Sequence, residues 1–415
     1  MASNYQAPRG TFDVLPADAR ARRRIEAVAA AIFARAGYET IATPAFEDTE
    51  LFERGVGRST DIVRKEMFTF EDKGGRSVTL RPEGTAPICR AYLEHGMHKL
   101  AQPVKLAYAG PFFRHERPQA GRYRQFHQIG VEAIGTDSPL ADAEAIALLA
   151  ELLAELGVPG VELRLGSLGS PGTRAAYLEE LKAHLRANEG ELSKEVRERI
   201  EINPLRAFDA DDDGTRAVMA SAPTLLERLE GEDADHFAEV RALLEAAGVA
   251  FTIDPTLVRG LDYYTRTIFS FVCAGLGAQS EVGGGGRYDG LIEQLGGPPT
   301  PAVGWATGVE RILLALGESE EAVGRDVFVV VAEDDPKWRA TASLLAMELR
   351  RAGLSAEVDL GGRALKGQLK QADRVGARQA LILEGDGAQL RDMKSGQQRS
   401  VDTGNLVEEI AGGGA

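Results

Sequence analysis

The 415-residue sequence predicts an α+β fold in two parts: residues 1–324, interrupted by a helical insertion at about 170–250, and a C-terminal α/β domain at 325–415. Three observations carry this. Residues 105–114 and 124–134 read as two strands joined by a cationic loop. In the second, Phe126, Gln128, Gly130 and Glu132 alternate with His127, Ile129, Val131 and Ala133, and successive side chains of a strand point to opposite faces. The stretch 170–250 is helix-like throughout, while the segments on either side of it carry strands. From Asp326 onward strand and helix patterns alternate, which implies a mainly parallel sheet.

Composition narrows the class. Hydrophobic residues make up 44% and charged residues 27%, the balance of an ordinary globular protein, and the length suits two or three domains. A formal net charge of −15 argues against indiscriminate nucleic-acid binding but leaves room for local basic patches. The two cysteines, Cys89 and Cys273, lie far apart and form no CxxC pair. They suggest a reducing compartment and give no support for a metal site built from cysteine and histidine. The first residues hold no apolar signal segment and no stretch approaches 18 apolar residues, so a cytoplasmic protein without a membrane span is expected.

Taken in order, residues 7–15 mix turn formers with apolar side chains and read as an ordered loop. A helix follows over 17–36, ended by Gly37. Ile25, Val28, Ala29, Ile32, Phe33 and Ala36 form its buried stripe, with Arg22, Glu26 and Arg35 opposite. A strand at 38–42 leads to Pro44. Glycines among charges over 51–73 suggest a mobile loop before a strand at 67–70, and Gly74-Gly75 turn the chain into a strand at 77–80. Pro82 and Gly84 fix a tight turn that presents Glu83 and Thr85. Glu83 suits the N-terminus of a helix over 85–95; beside a hydroxyl it equally suits an ammonium, which has donors and no acceptor.

Residues 140–157 read as a helix and 161–168 as a strand. Within the insertion, Asp209, Asp211, Asp213 and Gly214 imitate half of a calcium loop. Ala220 stands where the bidentate glutamate is needed, so no calcium site is expected. Residues 251–271 return to the main sheet. The four glycines of 281–291 let a backbone pass close to a ligand or another strand. Residues 301–316 read as a strand, then a helix with Arg311 near its start, and 317–324 as a linker. The last domain reads as strand 327–332, helix 336–352, strand 355–360, helix 363–375 and strand 379–384. Arg363, Lys366, Lys370 and Arg374 share one face of the second helix, opposite Leu365, Leu369 and Ala372. That face is either solvated or a contact for phosphates.

Arg114, Arg117, Arg122 and Arg124 crowd the hairpin loop, and the strand after it presents Gln128 and Glu132, which an apolar core would not take without partners. The string FRHERPQAGRYRQFHQ at 113–128 closely resembles the second signature motif of class II aminoacyl-tRNA synthetases, in the form used by histidyl-tRNA synthetases. VRGLDYY at 258–264 is similar to a motif peculiar to that family, and RPEGT at 81–85 to its loop for the amino group of histidine. The helix at 17–36 with its strand and proline resembles the first signature, which forms the dimer interface. Residues 301–316 resemble the third signature, and the final domain the anticodon-binding module. The resemblance runs over nearly the whole chain.

It implies an antiparallel catalytic sheet flanked by helices, interrupted by the insertion and followed by the anticodon-binding domain. The implied reaction activates histidine with ATP, accompanied by Mg2+, and passes the histidyl group to the 3′-terminal adenosine of tRNA-His, in a homodimer. By the same resemblance, Arg114 and Arg259 grip the α-phosphate, and Arg311 and Phe126 take the two faces of the adenine. Glu83, Thr85 and Gln128 serve the amino-acid end of histidine, Tyr263 binds histidine with them, and Glu132 and Tyr264 read the imidazole. Arg117 and Gln119 approach the acceptor end of the tRNA, and Arg363, Lys366, Lys370 and Arg374 its anticodon arm. Two rival readings are a non-catalytic regulatory subunit of ATP phosphoribosyltransferase and a free-standing amide-forming ligase. The first typically lacks the C-terminal domain and has eroded arginine motifs, whereas this sequence retains both; the second needs no anticodon domain.

Overall fold

A computed structural model of the chain describes residues 5–58, 60–317, 324–333, 335–385 and 387–411. Two compact units divide at the 319/320 boundary. Most of the expected linker at 317–324 lies outside the described residues.

The first unit opens with α1 (Pro16–Arg35), started by a proline whose missing N–H costs nothing at that position. Its stripe of Ile25, Ala29, Ile32 and Phe33 is buried in the main core. The expected strand at 38–42 shrinks to β1 (Glu39–Thr40). β2 (Phe46–Asp48), β3 (Phe68–Glu71) and β4 (Ser77–Leu80) form a small antiparallel sheet. The expected loop at 51–73 is largely ordered: α2 (Thr49–Gly55) and a π-helical turn over Ile62–Glu66 bury Phe52, Val56 and Ile62 against Ala86. Gly55 and Gly57 interrupt the pattern there, which hid a helix held by tertiary packing rather than by propensity.

α3 (Thr85–Glu94), β5 (Val104–Phe113), β6 (Gln125–Ile134), α4 (Pro139–Glu155) and β7 (Val161–Ser167) follow. The helical segment contains α5 (Pro171–Ala187), α6 (Lys194–Arg199), α7 (Asp213–Met219) and α8 (Gly231–Ala246). The last of these buries Phe237, Val240 and Leu244 in the same core as α4. The chain returns through β8 (Thr252–Ile253), β9 (Thr265–Cys273), β10 (Glu281–Arg287), α9 (Leu291–Gln294), β11 (Ala302–Gly308) and α10 (Val309–Leu316).

The main sheet has the order β1-β5-β6-β11-β10-β9-β7-β8. Its six central strands are antiparallel throughout, and only the short edge strands β1 and β8 pair parallel. The glycine run lies in β10, mid-sheet, where a Cβ on Gly285 would meet Trp305 Cα at 2.6 Å.

The second unit holds β12 (Val327–Val331), α11 (Pro336–Arg351), β13 (Ala356–Val358), α12 (Leu365–Arg374), β14 (Gln379–Glu384), β15 (Gly387–Asp392), β16 (Gln398–Val401) and α13 (Leu406–Ala411). β13, β12 and β14 are parallel, but β15 and β16 add an antiparallel half. The sheet is therefore mixed rather than mainly parallel; β16 is mostly exposed, so no apolar period announced it. Arg363 precedes α12 instead of lying on it, and pairs with Asp359. Lys366, Lys370 and Arg374 are exposed on α12, whose Ala372 is buried.

Candidate active site

A cavity of about 810 Å³ opens in the first unit. Side chains reach it from the turn before α3, from β6, from the loop between β8 and β9, from β10 and from α10. Arg114 lies just beyond β5. Its Nε donates to Pro82 O at 2.8 Å, and its guanidinium stands 5.4 Å from the centre of the Phe126 ring. Arg259 donates from Nη1 to Glu281 Oε2 at 2.6 Å and is only 12% exposed. Arg311, the third residue of α10, donates from Nε to Gly121 O at 3.3 Å and from Nη1 to Glu281 O. One residue, Glu281, thus holds two arginines, one through its carboxylate and one through its carbonyl.

The electrostatics follow. Burial opposes the charge on Arg259, but the Glu281 carboxylate and Tyr264 outweigh it and hold its pKa above the ordinary value. Burial likewise works against Glu281, yet Arg259 and then Arg311 keep its carboxyl below the usual range. Burial lowers Arg311. The glycines of β10 make room for this arrangement: a Cβ on Gly284 would stand 2.6 Å from Phe269 O and 2.9 Å from Arg259 Nη1.

At the other end of the cavity, Glu83 accepts from the backbone N–H of Thr85 at 2.7 Å and of Ala86 at 3.0 Å. The capping role read from the sequence is therefore present, and the carboxylate lines the cavity as well. Burial raises its pKa. Tyr263 and Tyr264 pack with ring centres 4.7 Å apart. Gln128 faces the cavity, and among the described residues nothing pairs with its buried Oε1 or with Arg259 Nε.

Glu132 stands behind the wall rather than on it. It is wholly buried, accepting from the Thr85 hydroxyl at 2.8 Å and from the Tyr288 hydroxyl at 2.5 Å. Arg117 and Gln119 are exposed in the hairpin loop and do not line the cavity. The sequence reading missed Glu281, Tyr288 and Tyr108. Glu281 and Tyr288 flank the glycine run, which was the available signal; Tyr108 sits mid-strand among ordinary core residues and gave none. No group of three or more acidic, histidine or cysteine side chains able to hold a metal occurs among the described residues.

An antiparallel sheet bearing a cavity lined by these arginines defines the catalytic domain of a class II aminoacyl-tRNA synthetase. The family model for histidyl-tRNA synthetase matches residues 10–312, and the model for an anticodon binding domain matches 326–412. The chain belongs to the histidyl-tRNA synthetase family. Similar curated proteins named histidine–tRNA ligase include one from Rubrobacter xylanophilus, 48% identical over 99% of this chain and 100% of its own. Another, from Anaeromyxobacter dehalogenans, is 50% identical over 97% and 99%. The crystal structure of apo S. aureus histidyl-tRNA synthetase superposes with a TM-score of 0.81 at 36% identity, covering 98% of this chain and 99% of that one. A Bacillus halodurans protein described as an ATP phosphoribosyltransferase regulatory subunit/histidyl-tRNA synthetase reaches 0.68 at 23% identity over 93% and 100%, a likeness of fold alone.

Proposed function

We infer that the protein is a histidine–tRNA ligase, which joins histidine to ATP as histidyl-adenylate, releases pyrophosphate and transfers the histidyl group to the 3′-terminal adenosine of tRNA-His. The observation that carries this is the convergence of Arg114, Arg259 and Arg311 with Glu83, Thr85, Gln128 and Tyr264 on one cavity. Attack of the histidine carboxylate on the α-phosphate gathers negative charge on the phosphate oxygens. Catalysis of such a step is positioning plus electrostatic stabilisation, and a guanidinium grips two oxygens while staying charged. Arg114 and Arg259 take that role. Glu281 fixes Arg259 at Nη1, leaving its unpaired Nε to meet an oxygen. Phe126 and Arg311 take the adenine, a flat ring suited to an aromatic face and a guanidinium. Mg2+ arrives with ATP. Mg2+ would be held mainly by the phosphates and water, with Glu281, beside Arg259 on the cavity wall, a carboxylate able to join them, and would supply charge neutralisation there.

The unpaired Oε1 of Gln128 suits the ammonium of histidine, which brings donors only. Glu83 and Thr85 belong to the same end. Tyr263 and Tyr264 shape the ring pocket, and Glu132 acts from behind Thr85. Lys366, Lys370 and Arg374 form an exposed cationic face for the anticodon arm, while Arg363 is engaged by Asp359. Arg117 and Gln119 reach toward the acceptor end. A homodimer fits the exposed Phe46 and Phe70, 52% and 47% accessible and 6.4 Å apart on the small sheet. The α1 stripe is used inside the chain. No described helix is long and apolar enough to cross a membrane, in keeping with work in the cytoplasm. The deciding experiment is histidine-dependent ATP–pyrophosphate exchange by the purified protein. Absence of exchange in a folded sample would overturn the ligase and favour the regulatory reading.

A further inference from the structure

The loop that carries Arg259, Tyr263 and Tyr264 has neither strand nor helix from Asp254 to Tyr264, so its backbone groups need partners from elsewhere. One partner comes from the helical module. Arg174, the fourth residue of α5, donates from Nη1 to Tyr264 O at 2.7 Å and from Nη2 to Asp262 O at 3.4 Å. These two carbonyls bracket Tyr263. Arg174 itself does not line the cavity.

The first turn of α5 is anchored in turn. Asp233 on α8 accepts from the Ser170 N–H at 2.9 Å and from the Thr173 hydroxyl at 2.6 Å. Its other oxygen accepts from Arg266 Nε at 3.2 Å. Arg266 follows Tyr264 by two residues and has a φ of 45°, the one positive φ outside glycine among the described residues. Such a conformation persists only where the surroundings fix it. Asp233 therefore ties the start of α5 to the segment that leaves the tyrosines, and Arg174 closes the circuit on the tyrosines themselves. Arg259, earlier in the loop, has its own anchor in Glu281 at 2.6 Å. The loop thus has two anchors, β10 for Arg259 and α5 for the tyrosines, and the Arg259 guanidinium also stands 5.8 Å from the Tyr264 ring.

We propose that Arg174 is a positioning residue for histidine: through the carbonyls of Asp262 and Tyr264, the helical module sets where Tyr263 and Tyr264 stand, and so sets histidine affinity far more than ATP affinity. This rests on the reading that the tyrosines contact histidine. Arg174→Met keeps the length of the side chain and leaves both carbonyls unpaired, while Arg174→Lys keeps the charge and reaches one of them. A small displacement of a substrate-positioning group is costly. Arg174→Met in the full chain is therefore expected to raise histidine KM in pyrophosphate exchange about tenfold or more. ATP KM should rise much less, since Glu281 still holds Arg259, and Arg174→Lys should recover part of the loss. An unchanged histidine KM, or histidine and ATP KM rising together, overturns the proposal. If Arg174→Met does not fold, the same split measured on Arg174→Lys decides. Tyr264→Phe, run alongside, separates the two failures. No rise in histidine KM there refutes the reading of the site, whereas a rise there with none for Arg174 refutes the positioning role alone.

Discussion

Replacing Glu132 by glutamine isolates one buried titrating group at the back of the cavity. Its carboxyl has no solvent exposure, and burial pushes its pKa from 4.5 up to about 8, with the Tyr288 and Thr85 hydroxyls pulling down and Glu83 adding to the rise. Because the folded pKa lies above the unfolded one, the native chain holds a proton that the unfolded chain has lost between these two values. The contribution to stability is fully present below about pH 4.5 and is lost as pH rises toward about 8. At about 1.4 kcal/mol per pH unit the full span is at most roughly 5 kcal/mol. Glutamine keeps the volume and can accept from one hydroxyl while donating to the other, so packing survives while titration disappears. Urea unfolding of both proteins from pH 5 to 8 should show the wild type losing stability relative to Glu132→Gln as pH rises. Glu310, whose pKa burial also raises, is common to both chains and cancels in the difference, whereas Glu83, which couples to Glu132, belongs to the difference itself. In pyrophosphate exchange the variant should weaken histidine far more than ATP, since Glu132 lies behind Thr85 and away from the arginines. Identical pH slopes would refute the buried titration, and equal losses of both substrates the selective role.

Arg259→Ala should slow adenylate formation by about two orders of magnitude or more, the scale of losing one charge-stabilising donor; pre-steady-state formation at the wild-type rate refutes its role. Gly284→Ala places a Cβ 2.6 Å from Phe269 O and 2.9 Å from Arg259 Nη1, so it should cost about 1–3 kcal/mol and lower exchange, which a thermal melt and the exchange rate together check. A chain ending at Gly324 should keep histidine-dependent exchange, since every cavity residue precedes it, but charge tRNA with a much higher tRNA KM. Neutralising Lys366, Lys370 and Arg374 together should reproduce part of that loss and flatten its salt dependence, and normal charging by the shortened chain would remove the unit from tRNA binding.

The sequence was most legible where local chemistry and period agreed. The hairpin of β5 and β6 fell within one residue of its expected bounds because strict alternation on β6 leaves one register that buries Ile129, Val131 and Ala133. The arginines were legible because few folds place four of them within 11 residues beside a polar strand face. What stayed hidden depends on long-range contact. α2 ends on Gly55, is followed by Gly57, and exists through Phe52, Val56 and Ile62 packing on Ala86. β16 is mostly exposed and carries no apolar period, β15 offers only Ala388 and Leu390 as buried apolar residues, and Arg363 was moved off its helix by a local pair with Asp359. Glu132 read as a direct contact to the imidazole because its strand face is polar; Tyr288, 156 residues later, covers it.

Glu281 shows why such a site resists reading from motifs alone. An acidic chain of net charge −15 must hold several guanidinium groups around one cavity without their mutual repulsion opening it. The cavity contains its own counter-charges: Arg259 on Glu281, and Arg122 on Glu116 at 3.4 Å. Each pair is incomplete. The Glu281 side chain is still 41% exposed, and the Nε of Arg259 has no partner among the described residues. The arginines are therefore oriented before substrate arrives and keep donors in reserve, which is what transition-state stabilisation by preorganised charge requires. Removing Glu281 would free Arg259 to bind phosphate more strongly in the ground state while losing the orientation that matters at the α-phosphate, a distinction that only differential binding makes visible. On the proposed reading of the site, the acid beside the arginine serves as a positioning group, although it carries a charge of the same sign as the substrate.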